Sequence, residues 1–269
     1  MADLLSLHWG ERIVGVEASV TPHAIRVRAA FSADRASIAA DGELPDESNG
    51  LAAVLSGAGV SARQADVVLS QQDVVTRWLE LPPVSDEDLP EIVRFQAGTK
   101  STLSVEQLIV DYLPLPVSED AETRSVLLAT VAKSTVAEIV RDLAAAGIEL
   151  RSLGVGSLAL SDLAKTVSGS QDENDGLVVV ADHEQLEVTV HQGGGTVLTH
   201  SASLSGEADP VRTAGQAISR ALFAAGNSVA DLNLNSAVLF GPLGEDLVDV
   251  VRGRMSGSQG DPRVDVVSL

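Results

Sequence analysis

Two consecutive prolines, Pro82 and Pro83, constrain this chain more tightly than any other feature. They divide residues 69–97, LSQQDVVTRWLELPPVSDEDLPEIVRFQA, into a strand and a helix. Ahead of them, Val75, Arg77, Leu79 and Leu81 alternate with Val74, Thr76, Trp78 and Glu80, the period of an extended strand over 73–81. Proline offers no N–H to a ladder, so the strand must end at the corner. Beyond it, Ser85 followed by Asp88 predicts an N-cap with a capping box, and Asp86, Glu87 and Asp88 place negative charge where a helix dipole favours it. Leu89, Ile92, Val93 and Gln96 then fall on one helical stripe, with Arg94 opposite and Phe95 well off it. Trp78 and Phe95 lie off the core faces in a chain with few aromatics. Two readings stay open: a contact surface, or packing beneath neighbouring loops.

The rest of the chain reads as two halves with the same opening. Residues 4–7 and 13–16 predict a hairpin turning at Gly10, and residues 25–31 continue it. A helix over 46–59 ends on Gly59, and strands follow at 66–69 and 73–81. After the acidic helix come strands near 108–113 and 125–131. A helix over 135–146 is opened by the Thr135–Glu138 capping box and stopped by Gly147. A strand near 149–153 and a helix over 157–167 close the first half. Residues 168–176, SGSQDENDG, carry no apolar side chain and are the expected linker. The second half predicts strands at 177–181, 186–191 and 196–200, with Gly193, Gly194 and Gly195 as a turn. A helix over 210–225 has Asp209 as N-cap, Pro210 in its first turn and Gly226 beyond its end. A strand at 237–240, a helix at 243–255 and a strand at 264–267 follow. The expectation is an α/β chain with halves at 1–167 and 177–269.

Charge excludes several partners. The net charge of −20, with lysines only at Lys100, Lys133 and Lys165, leaves no clustered basic face for nucleic acid or for an anionic membrane surface. The acidity itself reads as solubility or adaptation to salt. With no cysteine, disulfides, thiol catalysis and thiolate-held metal are excluded. No signal-like run opens the chain, and no stretch is apolar enough to span a bilayer, so the expected location is cytoplasmic without direct membrane insertion.

The order strand, RWLELPP, acidic helix start, IVRFQA resembles the actin-like assembly proteins of the type IV pilus inner-membrane platform. These are the PilM-like proteins, related to the cytoplasmic domain of the type II secretion protein GspL. DYLPLP at 111–116 and SVLLATVAKSTVAEIVRDLAAAGIELRSL at 125–153 match in the same order, and the likeness is best over roughly 66–160. The resemblance implies a duplicated actin-like (ribonuclease H-like) core. A small subdomain, about 74–150, would be inserted in the first half, and no large insertion in the second. It also implies a protein peripheral to the inner membrane, holding the short cytoplasmic tail of a bitopic membrane partner in a groove between main and inserted subdomains. Carried over by position, that groove would lie near Trp78, Leu79, Leu81, Arg94 and Phe95, with a secretion motor ATPase binding elsewhere.

Actin-like ATPases, as the resemblance implies, hold ATP with magnesium between two acid-x-Gly-x-small turns. Glycine admits the phosphates to backbone N–H groups, and the acid organises the metal. The first turn here is His8-Trp9-Gly10-Glu11-Arg12: Gly10 is kept, His8 replaces the acid, and Glu11 replaces a small donor. The second is Ala181-Asp182-His183-Glu184-Gln185, where Asp182 matches the acid and Glu184 replaces the glycine. A carboxylate aimed at a triphosphate repels it. Residues 237–242, AVLFGP, lack the paired glycines of the adenosine side, and 205–210 leaves no room for a further subdomain. The expectation is therefore a non-catalytic scaffold without a cofactor. Two alternatives are an ATP-binding assembly ATPase and a structural homo-oligomer using an exposed sheet edge. His191 and His200 flank a hairpin as exposed strand histidines without a carboxylate at ligand spacing, so no metal site is expected.

Overall fold

A computed structural model describes residues 2–38, 50–114, 123–168, 175–182, 184–192, 195–229, 232–255 and 262–267. The chain opens with β1 (Ala2–Trp9), β2 (Arg12–Thr21) and β3 (Ala24–Asp34), then α1 (Arg35–Ile38), α2 (Leu51–Gly57) and β4 (Gln64–Leu69). Next come β5 (Val75–Leu81), α3 (Leu89–Lys100), β6 (Leu108–Pro114), β7 (Arg124–Ala132), α4 (Lys133–Ala145), β8 (Glu149–Val155) and α5 (Gly156–Ser168). The remainder is β9 (Gly176–Ala181), β10 (Gln185–Gln192), β11 (Gly195–Ser203), α6 (Pro210–Ser228), β12 (Ser236–Phe240), α7 (Gly244–Met255) and β13 (Arg263–Val267).

These strands form two five-stranded sheets of identical plan, β3-β2-β1-β4-β8 and β11-β10-β9-β12-β13, plus a three-stranded sheet β5-β7-β6. In each large sheet the three opening strands are antiparallel and the last two join in parallel. The expected duplicated α/β core is present. By compactness the chain divides into two units. One comprises Met1–Val74, Glu106–Ile109 and Val131–Gly156, and the other comprises Val75–Val105, Val110–Thr130 and Ser157–Leu269.

In the first unit, Leu5, Leu7, Trp9, Ile13, Ala65, Val67 and Leu69 are buried at alternate strand positions. Ile139 and Leu143 of α4 and Leu51 and Leu55 of α2 are buried at helical spacing. Both helices end in the same way. Gly59 and Gly147 adopt φ of 75° and 72°, and the N–H groups of Val60 and Ile148 reach back to Leu55 O and Leu143 O at 2.9 Å each. This six-to-one bond closes a Schellman cap, which only a glycine-like φ permits cheaply, so both expected glycine stops are found.

In the second unit, one core lies between the β9–β12 sheet and the pair α6 and α7, built from Leu177, Val179, Leu186, Val188, Ile218 and Leu247 among others. A second lies on the opposite face of that sheet, where Ala164 of α5 meets Val178, Val238 and Phe240. The third packs α3 on the small sheet: Leu79, Leu81, Val126 and Leu128 meet Leu89, Val93 and Ala97.

Three expected boundaries move, each for a local reason. The α3 helix starts at Leu89 rather than after Ser85. Ser85 makes half of its box: the Asp88 N–H donates to Ser85 Oγ at 3.2 Å, whereas the Asp88 carboxylate accepts from the Ser85 hydroxyl at 2.8 Å rather than from its backbone N–H. Pro90 has no N–H to extend that turn backwards, so regular helix begins after it. The α4 helix starts at Lys133, and Ala132, the last residue of β7, occupies its N-cap, so Thr135 and Glu138 lie inside the helix and do not cap it. The α6 helix runs past Gly226 to Ser228, because Val229 N–H still donates to Ala225 O at 3.0 Å and Gly226 takes no left-handed φ. Its start agrees: Asp209 accepts from Arg212 N–H at 2.9 Å. Residues 46–49 of the expected first helix, 115–116 of DYLPLP, 169–174 of the linker, Gly193 and Gly194 lie outside the described residues.

Candidate functional site

The first candidate turn joins β1 to β2. Gly10 is buried there. A Cβ added to it would come 3.2 Å from the His8 ring and 3.5 Å from Ser70 Cβ, so little more than glycine fits. Trp9, the residue before, is fully buried, and its indole N–H has no hydrogen-bond partner among the described residues. Glu11 points outward, and its carbonyl accepts from Arg35 N–H at 2.8 Å. Both arginines at this turn are already matched by carboxylates. Arg12 pairs with Asp34 at 3.0 Å and also reaches Ser32 Oγ. Arg35 lies 6.0 Å above the Trp9 ring and pairs with Asp73 and Glu138, each at 3.5 Å. A guanidinium neutralised in this way offers little to a phosphate.

The second candidate turn joins β9 to β10. Asp182 is exposed, and its Oδ1 accepts the N–H groups of Glu184 at 2.7 Å and Gln185 at 2.6 Å. The Asp182 N–H in turn donates to Gln185 O at 3.0 Å. This is an Asx turn: the carboxylate and the loop amides, the two groups a phosphate loop needs free, bond one another. His183 lies outside the described residues. Facing this turn, Gly241 takes φ 93°, and a Cβ there would stand 2.3 Å from Ala181 O. Of the paired glycines looked for at 241–242, one is present and the other is Pro242.

The five candidate partner residues do not form one surface. Leu79 and Leu81 are 4% and 2% exposed, inside the core beneath α3, so they are unavailable to a ligand. Trp78, on the other face of β5, packs against the core of the β9–β12 sheet, with its indole N–H buried and without a hydrogen-bond partner among the described residues. Beside it, Thr76 and Thr199 share a hydroxyl hydrogen bond. Of the two readings of Trp78, packing is the one observed. Arg94 is exposed on α3, and Phe95 is 68% exposed. Period-2 alternation separates Trp78 from Leu79 and Leu81, but it carries no sign that both faces of β5 would be covered.

The histidines also differ from expectation. His191 is buried, with Thr196 Oγ1 3.4 Å from its Nδ1, and His200 is half-buried. His200 pairs with Val188 in the ladder, so the two rings are not cross-strand neighbours. Burial, and secondarily the charge of Arg220, lower the pKa of His200 below the ordinary histidine value. Among the described residues no cluster of three metal-ligating side chains occurs.

Sequence reasoning missed several polar ties. Glu17, fully buried on β2, accepts from Ser61 N–H at 2.8 Å and Ser61 Oγ at 2.7 Å. Arg124 donates to Val84 O at 3.2 Å and pairs with Asp86, pinning the Pro–Pro corner. Arg151 grips Asp66 with two donors and, with help from Ser152 at 2.6 Å, lowers its pKa. The Asx turn at Asp182 could have been read, because aspartate two residues ahead of a turn amide is a recognised signal. Two shallow clefts of about 380 and 500 Å³ share Arg63 and Glu149 at the start of β4 and β8, the far end of that sheet from Gly10.

No family profile matches the sequence, and no curated protein matches it. Solved structures do match. A PilM–PilN type IV pilus biogenesis complex superposes with a TM-score of 0.72 at 19% identity, over 99% of this chain and 88% of that one. The cytoplasmic domain of EpsL, an inner-membrane component of the type II secretion system of Vibrio cholerae, gives 0.55 at 16% identity, over 88% and 82%. A Bacteroides thetaiotaomicron protein with an actin-like ATPase fold gives 0.52 at 13% identity, over 98% and 90%. The chain has the actin-like fold. Its two sheets of one plan are the repeated halves of that fold. Among the described residues, no helix is long and apolar enough to cross a membrane.

Proposed function

We propose that this actin-like chain is a non-catalytic scaffold of a type IV pilus or type II secretion platform, working at the cytoplasmic side of the inner membrane through a membrane-anchored partner. The observation that carries the non-catalytic reading is the Asp182 turn. Its Oδ1 takes two of the turn's amides, and Glu184 adds a negative charge beside them. A magnesium nucleotide does not fit this donor set. Freeing those amides for a phosphate would break two short hydrogen bonds, and the arginines at the Gly10 turn are held by carboxylates.

The likeness to the PilM–PilN complex and to the EpsL domain supports a platform role, with an extended cytoplasmic tail as the partner. On this chain the tail would meet α3 at Arg94 and Phe95, a guanidinium for a carboxylate and an aromatic ring for an apolar anchor. Titration calorimetry tests both halves of the reading. Magnesium ATP is expected to give no saturable heat, and micromolar binding would overturn the non-catalytic assignment. A tail peptide from the neighbouring membrane protein is expected to bind wild type at least tenfold more tightly than a variant carrying Arg94→Ala with Phe95→Ala. Equal affinities would remove the α3 site.

A further inference from the structure

The α6 helix carries a second candidate surface, independent of α3. The 19 residues of Pro210–Ser228 contain two arginines and no aspartate or glutamate, in a chain whose net charge is −20. Its inner stripe, Ala214, Ala217, Ile218, Ala221 and Ala225, is buried in the sheet core. Opposite that stripe, Arg212, Gln216, Arg220, Phe223 and Asn227 are all exposed and follow one another at helical spacing over about 22 Å. Phe223 is 74% exposed, the most exposed large apolar side chain among the described residues. One turn before it, Arg220 makes no ion pair or hydrogen bond among the described residues. Arg212 lies 3.9 Å from its own cap Asp209, and Glu207 accepts from Thr213. An exposed ring beside an unpaired guanidinium is the pairing that dominates protein interfaces.

We propose that the C-terminal two-thirds of α6, centred on Arg220 and Phe223, is a docking face for an acidic amphipathic helix of another protein. Charge selects the sign of the occupant: a carboxylate one turn from an apolar side chain would meet Arg220 and Phe223 together. The straight four-turn stripe selects its shape, because Gln216 and Asn227 flank the ring without bulk and let a second helix lie alongside.

The test uses the full chain and a fluorescein-labelled 18-residue helical peptide with leucines on one stripe and glutamates elsewhere. A control peptide replaces every glutamate by lysine. Saturable binding of the acidic peptide is expected, weakened at least tenfold by Arg220→Glu and by Phe223→Ser and unchanged by Phe95→Ser. Thermal melts check that the variants remain folded. The proposal is overturned by absent binding, by equal binding of the lysine peptide, or by equal affinity in both α6 variants. It also falls if Phe223→Ser instead abolishes self-association in sedimentation, or binding to phosphatidylglycerol vesicles.

Discussion

Gly241→Ala tests how tightly the end of β12 is packed on the Asp182 turn. Two costs fall on this substitution. At φ 93° an L side chain sits in left-handed backbone, worth roughly 1–2 kcal/mol. The new Cβ also stands 2.3 Å from Ala181 O and 3.0 Å from Ala181 C, backbone atoms that cannot swing aside. Forcing β9 and β12 apart is an overpacking cost of about 1–3 kcal/mol. The stiffer unfolded chain returns roughly 0.4–1 kcal/mol, leaving a net loss of about 3 kcal/mol. Gly206 supplies the control. It has φ 73°, and an added Cβ would meet nothing within 4 Å, so Gly206→Ala bears the backbone cost alone, about 1 kcal/mol after the same return. At about 2–4 °C per kcal/mol for a chain of this size, the expected falls in Tm are about 6–12 °C for Gly241→Ala and about 2–4 °C for Gly206→Ala. Circular dichroism melts at equal concentration measure both. Equal shifts would refute the steric argument, because both positions have left-handed φ and only Gly241 faces a backbone wall.

Two further predictions concern pH. Arg151 holds the folded pKa of Asp66 below its unfolded value near 3.8. The stabilisation is therefore complete above that value and fades as pH falls through the folded one. Arg151→Ala should destabilise in urea at pH 7, with an effect that shrinks progressively as pH falls below 3.8; an effect that persisted unchanged in acid would contradict the ion-pair account. His200 is depressed below its ordinary 6.5, so folding favours the neutral ring, and stability present above 6.5 is lost as pH falls from there towards the folded pKa. His200→Leu should flatten that acid-side loss in urea titrations, and an unaltered slope between pH 6.5 and 5 would show that another group is responsible.

Features set by local chemistry were legible in the sequence. Gly59 and Gly147 stop their helices because a Schellman cap needs left-handed φ, and Asp209 caps α6 because its side chain reaches its own N3 amide. The repeated opening of three strands showed as alternation and became two sheets of one plan. Features set by distant partners were not legible. Leu79 and Leu81 entered the candidate site because their strand gave one apolar face, whereas Trp78 is covered from the other side by residues more than a hundred positions away. Glu17 reads as an ordinary exposed strand acid until Ser61 comes beside it. The histidines likewise depended on what α6 brings to β11. At the turns, the acids Glu11 and Glu184 were legible in the sequence, but the two amides bonded to Asp182 Oδ1 became visible only in the structure.

β4 and β8 lie side by side, yet the polypeptide leaves one at Leu69 and reaches the other only at Glu149. A nascent chain emerging from the ribosome must therefore hold its first sheet unfinished, with β4 as a raw border, until the whole α3 module has been made. Each doubling of such an excursion adds only about 0.6 kcal/mol of closure entropy, so the burden falls on timing rather than on final stability.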